Sequence, residues 1–231
     1  MAISDWIIEK STANLHVNLE ITTPIDGTGS LRISNEAIKD DTTVATGHLR
    51  VLAGSPQSQF LKGKIRTLLK PVAFTDGATS VSFFGIMCMM NQGQVFDDSP
   101  AGAAYFAGRW GGTTPSWRVS RAVAGITGTS SFTHLAQGTT THLPGLGDTI
   151  ATELEWIYNP LEFGGVRLTF KVSSDDNFSN LATVYQVIDN SVSVLTTTVG
   201  EGLFLCTLHT ATGPEVTALF DKTSLYELVA S

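Results

Sequence analysis

Apolar residues in this chain recur with a period of two, and almost nowhere with the 3.6 of a helix. In NLHVNLEI, Leu15, Val17, Leu19 and Ile21 alternate with His16, Asn18 and Glu20. In SWRVSRAV, Trp117, Val119, Arg121 and Val123 alternate with Arg118, Ser120 and Ala122. In GVRLTFKVS, Val166, Leu168, Phe170 and Val172 alternate with Arg167, Thr169 and Lys171. Successive side chains of an extended chain point to opposite sides, so each segment reads as a half-buried strand. Gly, Pro, Asn, Asp and Thr punctuate the segments. No stretch carries a capped apolar stripe at helical spacing; a single helical turn is expected within NEAIKDD, residues 35–41.

Two segments depart from alternation. SVSFFGIMCMM (80–90) is apolar on both faces, as is GLFLCTL (202–208) apart from Thr207. Such strands belong at a sheet centre, covered on both sides. Counting all runs gives about 12 to 14 strands, at the spacing of a sandwich. With 231 residues, no Pro-rich or charged spacer and no fixed-period repeat, the chain is expected to form a single domain over 1–231. The fold class expected is all-β: two antiparallel sheets with little or no helix. The longest loops are expected at 91–104 and 124–147, the latter rich in Gly, Thr and Ser.

The second half has a recognisable layout. Asp148, Leu154 and Trp156 are followed by Asp189 and Ser191, then by Gly200, Gly202 and Leu203, and lastly by Phe220 and Asp221. This resembles the concanavalin A-like lectin/glucanase superfamily in its laminin G-like form, over roughly residues 80–228. Lys222 and Thr223 depart from that pattern, which has Asn or Asp and then an aliphatic residue. The resemblance implies a jelly-roll sandwich with neighbouring first and last strands and any sugar site among the loops of a concave face. Leu225 and Tyr226 are accordingly expected to pair with the N-terminal strand around Trp6 to Ile8, with Lys222 to Ser224 as a break or bulge.

Charge and composition narrow the function. Only 15% of residues are charged and the net charge is −7, with no basic tract. Binding nucleic acid by neutralising phosphates is not expected. No stretch reaches the roughly 18 to 20 apolar residues of a membrane helix, and MAISDWIIEK lacks the pattern of a signal peptide. The expectation is synthesis in a cytoplasm, with exit, if any, by a route that cleaves no signal. Cys88 and Cys206 lie in apolar runs and read as buried thiols.

Catalytic patterns are sparse. Glucanases of the resembled superfamily carry two carboxylates on one strand, and ELEWI (153–157) offers Glu153 and Glu155 on a shared face. The same alternation makes Leu154 and Trp156 core and the two glutamates a solvated face, which is the reading adopted. Neither a nucleophile elbow nor a phosphate loop is present. The five histidines, at 16, 48, 134, 142 and 209, show no transition-metal spacing. Calcium is the one ion whose ligand types occur in clusters: Asp175, Asp176 and Asn177 in SSDDNFSN, and Asp97 and Asp98 in VFDDSP. Neither stretch matches a complete calcium loop, and a turn built from Asx side chains is the reading adopted for both. No other cofactor is expected.

The stretch RWGGTTPSWR (109–118) is the best binding candidate. Trp110 and Trp117 bracket a Gly/Pro loop, flanked by Arg109 and Arg118, and with Arg109 would form a sugar-stacking platform if both indoles emerged on one side; the reading adopted puts Trp117 on the apolar face with Val119 and packs Trp110 on the neighbouring sheet. Finally, a signal-less β-sandwich rich in Gly, Thr and Ser resembles accessory proteins of bacteriophage virions, namely decoration proteins, fibres and attachment proteins. That resemblance implies a non-enzymatic virion protein whose partners are other virion proteins, further copies of itself as a homo-oligomer, or a host surface glycan. A lectin-like carbohydrate-binding module is the alternative reading, and a glycoside hydrolase using Glu153 and Glu155 the third.

Overall fold

A computed structural model describes residues 6–10, 15–22, 24–27, 29–35, 45–51, 61–74, 76–77, 80–90, 104–123, 131–191, 200–209 and 215–228. The helical turn expected at 35–41, the loop at 91–104 and the Asp97/Asp98 pair fall largely or wholly outside these residues. Fourteen strands are described: β1 (Trp6–Lys10), β2 (Leu15–Glu20), β3 (Ser30–Asn35), β4 (Ala45–Val51), β5 (Lys62–Ala73), β6 (Ser80–Met90), β7 (Ala104–Trp110), β8 (Ser116–Ala122), β9 (Thr133–Thr139), β10 (Ile150–Asn159), β11 (Gly165–Val172), β12 (Ala182–Asp189), β13 (Gly200–His209) and β14 (Val216–Glu227). A single 3-10 turn is described at Phe178–Asn180.

The strands form two seven-stranded antiparallel sheets. Sheet A runs β1-β4-β13-β6-β7-β8-β9 and sheet B runs β12-β11-β10-β5-β14-β3-β2. The molecule is an all-β, two-sheet jelly-roll sandwich. The main core lies between the sheets. Phe84, Ile86, Tyr105, Trp117, Val119, Leu203 and Leu205 from sheet A meet Ile65, Leu154, Trp156, Leu168, Phe170, Ala218 and Phe220 from sheet B. The period-two alternation of β8, β10 and β11 delivers these side chains. Gly63 on β5 makes room for the largest of them: a Cβ there would stand 2.4 Å from the Trp156 ring.

The doubly apolar strands sit where their sequence requires. β6 is fourth of seven and β13 third in sheet A. Phe84 and Ile86 of β6 face sheet B, whereas Phe83 and Met87 face the opposite side. There they join Phe106, Trp110, Phe132 and Phe204 in a second buried cluster on the outer face of sheet A. Its rings meet edge-on, with Phe83–Phe204 centroids 4.7 Å apart and Phe106–Phe132 5.4 Å apart, the geometry favoured by ring quadrupoles.

Two expectations fail. Residues 133–139, assigned to a loop, form β9, the edge of sheet A. Its mostly polar residues are half-buried or exposed, so it lacks an alternating apolar face. The chain ends also part company: β1 pairs with β4 in sheet A, whereas Leu225 and Tyr226 pair with Ile65 and Lys64 of β5 in sheet B. At twelve residues, β5 outruns β3, the other neighbour of β14, and offers β14 a partner to its end. The bulge expected near Lys222 is present, as a register shift between Asp221 and Ser224 with Lys222 at φ 48°.

Buried ion pairs fasten the interior. Asp189, at the end of β12, accepts hydrogen bonds from Tyr105 Oη (2.8 Å) and Arg121 Nη1 (2.5 Å), both on sheet A. Ser191 Oγ also accepts from Arg121. Asp189 and Ser191, noticed as a sequence pattern, therefore hold one sheet to the other. Burial would raise the Asp189 pKa, but the hydrogen bonds from Arg121, Tyr105 and Ser191 outweigh it and hold the carboxyl below its ordinary value.

Candidate functional site

Cross-strand register on β7, β8 and β9 assembles a polar patch on the outer face of sheet A. Trp110 pairs with Ser116, Gly108 with Arg118 and Phe106 with Ser120. Arg118 in turn pairs with Gln137, and Ser120 with His134. Directly opposed residues of antiparallel strands share a face, so Trp110, Arg118, Ser120, His134 and Gln137 all point away from sheet B. Gly85 and Gly108 stand opposite one another in this face. A Cβ on Gly108 would lie 2.1 Å from the Phe84 carbonyl oxygen, so glycine is needed for the strands to approach this closely.

Within the patch, the Arg118 guanidinium lies 4.1 Å from the centre of the Trp110 ring. His134 meets Trp110 edge-on, with centroids 4.9 Å apart. One imidazole nitrogen, Nε2, is 2.5 Å from Arg118 Nη1, and the other, Nδ1, is 2.8 Å from Ser120 Oγ. Arginine only donates. His134 Nε2 must therefore accept, which leaves the proton on Nδ1 to be donated to Ser120. That tautomer is neutral, and a second proton would set N–H against N–H. In keeping with this, His134 is pushed down to about 4, first by burial and then by the charge of Arg118. Burial also holds the Arg118 guanidinium below its ordinary value.

The consequence for stability has a definite sign. Between about 4 and 6.5 the unfolded chain takes up a proton at His134 that the folded chain refuses, so stability falls as pH drops through this window and is fully present above it. Urea midpoints at about pH 4.5 and about pH 7 should differ less in His134→Gln than in the parent chain. An equal difference would mean that His134 does not carry this part of the profile.

The residues singled out in the sequence are dispersed. Of Arg109, Trp110 and Trp117, only Trp110 lies on the outer face. Trp117 is fully buried in the core, packed on Phe170 and donating from Nε1 to the Thr141 carbonyl at 2.9 Å. Arg109 is 3% exposed; it donates to both oxygens of Asp76 at 3.0 and 2.7 Å and stacks on Phe74 at 3.8 Å. The two indoles thus face opposite sides of the sheet and do not form a shared platform.

Glu153 and Glu155 point outward from sheet B while Leu154 and Trp156 are fully buried, as the alternation requires. Glu153 is nevertheless not solvated. It is 2% exposed beneath Arg66 (2.8 Å), Lys171 (2.8 Å) and Lys64 (3.9 Å). Burial would raise its pKa; the bonds and charges of Lys171, Arg66 and Lys64 more than offset this and hold it below its ordinary value. A glycosidic general acid needs the reverse, a raised pKa.

Asp175 and Asn177 act in a turn. Asp175 Oδ1 accepts from Asn177 N (2.9 Å), its Oδ2 from Asn180 Nδ2 (2.9 Å), and Asn177 Oδ1 caps Ser179 N. Asp176 is exposed. Among the described residues no three His, Cys, Asp or Glu side chains converge as a metal site would require. Cys88 is a free, buried thiol, held well above its ordinary pKa by burial and then by Glu201, the setting of an inert rather than a nucleophilic cysteine. The described surface also has a cleft of about 260 Å³ beside the 141–149 turn; its one charged lining residue, Asp148, accepts from Gly145 N at 2.8 Å.

The sequence places Arg118 beside the candidate loop without assigning it to the site, and gives His134 only a surface or capping role. Arg118 was within reach: the loop 111–115 pairs Trp110 with Ser116, which puts Arg118, not Trp117, on the face of Trp110. His134 was not, because its strand has no apolar alternation to announce it.

No family model matches the sequence, and no curated protein matches it. Its structure is similar to several solved ones. An alginate lyase of type PL-14 from Aplysia kurodai aligns over 96% of this chain and 98% of its own, with 9% identity and a TM-score of 0.59. A cellulose induced protein, Cip1, aligns over 100% and 95%, with 13% identity and a TM-score of 0.55. The exoplasmic/lumenal domain of VIP36, solved in a Ca2+/Man3GlcNAc-bound form, aligns over 100% and 86%, with 12% identity and a TM-score of 0.53. At these identities the likeness is one of fold, shared by lectin domains and glycan-active enzymes.

Proposed function

We propose that this chain is a lectin-like, non-enzymatic glycan-binding module that recognises sugar on the outer face of sheet A, around Trp110, Arg118 and His134. One observation carries this reading: an indole, a planar guanidinium and a neutral imidazole stand in mutual contact on one sheet face, with the exposed Gln137 opposite Arg118. The Trp110 ring, 5% exposed, lies beneath Arg118 and fixes its plane, and both His134 nitrogens are engaged, so Arg118 and the exposed Gln137 supply the donors and acceptors for sugar hydroxyls. The fold likeness to the VIP36 domain, and to a structure described as the Emp46p carbohydrate recognition domain, supports the class of ligand. It says nothing of the residues. Pinning of Glu153 under three cations supports a binding role over hydrolysis at that pair. The virion role, drawn from a resemblance of fold and style, gains no support from these likenesses. The turn at Asp175 and Asn177 plays no part in the reading.

A glycan array is the direct test. The parent chain should retain at least one glycan, and Trp110→Ala or Gln137→Ala should lose most of that signal. Because Trp110 is itself 5% exposed and packs on Phe83, its variant is read alongside its urea midpoint, and Gln137→Ala serves as the variant that keeps the core intact. Binding unaffected by both substitutions would remove the site from this face; the absence of any retained glycan would remove the function.

A further inference from the structure

We propose that the sugar recognised at this patch carries an anionic group, a carboxylate or a sulfate, that pairs with the Arg118 guanidinium. This inference rests on the glycan reading above and sharpens it.

Most other arginines whose surroundings are described already have a counter-charge. Arg32 meets Glu20 and Glu215 at 3.3 Å, Arg66 meets Glu153 at 2.8 Å, Arg109 meets Asp76 at 2.7 Å and Arg121 meets Asp189 at 2.5 Å. Arg118 has no such partner among the described residues. Its contacts are a neutral imidazole and an indole, and its Nε is buried with no hydrogen-bond partner. Arg167 also lacks a carboxylate and has an unbonded Nε, but it stacks on Phe163 on the outer face of sheet B, away from the indole patch.

Among the described residues the surroundings of Arg118 offer it no anion. The outward residues of β7, β8 and β9 that make this face are Ala104, Phe106, Gly108, Trp110, Ser116, Arg118, Ser120, Ala122, His134 and Gln137. None is acidic, in a chain whose net charge is −7. Withdrawing a guanidinium from water without a counter-charge is unfavourable, and a planar anion accepting two of its N–H bonds offsets that cost. The stacking on Trp110 fixes the plane of the guanidinium, which preorganises it for such a fork. A neutral sugar would leave the charge uncompensated.

The experiment uses four probes with the intact chain: oligogalacturonate, its methyl ester, dextran sulfate and dextran, each titrated calorimetrically at low and moderate salt. At least one anionic probe should bind more tightly than its neutral counterpart, and which one does so distinguishes carboxylate from sulfate. Arg118→Gln should lose about tenfold or more of that affinity. A second readout does not depend on the variant folding. An anion beside Arg118 favours the imidazolium, so the His134 titration followed by NMR should move up from about 4 when the charged probe is bound. Equal binding of charged and neutral probes, no binding of either anionic probe, or an unmoved His134 titration at saturation would overturn the inference. Retention of a neutral glycan that is lost in Gln137→Ala would leave the glycan reading standing while removing the anion from it.

Discussion

Asp189→Ala should be the most damaging single substitution in this chain, costing about 3 to 5 kcal/mol of folding stability. The reason is what it leaves behind. Arg121 has a side chain only 9% exposed, and its charge is met by Asp189. Removing the carboxylate strands a buried guanidinium and takes an acceptor from Tyr105 Oη. Replacing both partners by apolar residues of similar volume, as in Arg121→Met with Asp189→Leu, should recover most of the loss, since a buried pair contributes little net stability relative to a packed apolar pair. Urea unfolding of the two single variants and the double variant measures the coupling directly. A single-variant cost below about 1 kcal/mol would mean that the pair is wet, and not the fastening between sheets described above.

Trp117→Ala should follow closely, at about 3 to 5 kcal/mol. The indole is fully buried, packs edge-on against Phe170 at 5.3 Å and satisfies the Thr141 carbonyl. This prediction separates the two tryptophans that the sequence places side by side. Loss of Trp117 should lower the urea midpoint sharply while the folded fraction binds glycan as before. Trp117→Phe should retain most of the packing and leave the Thr141 carbonyl without its donor. If Trp117→Ala instead removed binding at unchanged stability, the indole would belong to the recognition face, and the assignment of faces on β8 would be wrong.

The architecture was largely legible, for a physical reason. Packing large apolar side chains on one face imprints a period of two on β8, β10 and β11, and packing them on both faces erases it from β6 and β13, so both kinds of strand announce themselves. β9 does neither. As an edge strand with a mostly polar surface it is chemically indistinguishable from a loop, and the candidate site lost His134 with it. Asp189 and Ser191 illustrate the opposite case. Their spacing stood out in the sequence, but only the three-dimensional arrangement shows that it serves Arg121 on the other sheet. Arg109, Trp110 and Trp117 were selected by residue type, and a loop of five residues between β7 and β8 sets Trp117 opposite Arg109 instead of Trp110, which parts the two indoles. One more residue would have paired Trp110 with Trp117.

The bulge in β14 has a bearing on how the length of this chain can change. Before it, Ala218 and Phe220 point into the core; after it, Leu225 does so and Tyr226 lies over Lys64 and Arg66. Odd and even positions exchange roles at Lys222, so the strand is two half-strands joined out of step. The Asp221 carboxylate, accepting from Lys222 N at 2.7 Å and Ser30 Oγ at 3.0 Å, marks the join. Loss of one residue there would remove the extra residue of the bulge, restore strict alternation and leave Leu225 opposite Ile65 and facing the core. Within β14 the join is therefore the place where the chain can shorten by one residue, whereas the same deletion elsewhere in the strand would turn the later side chains to the wrong face.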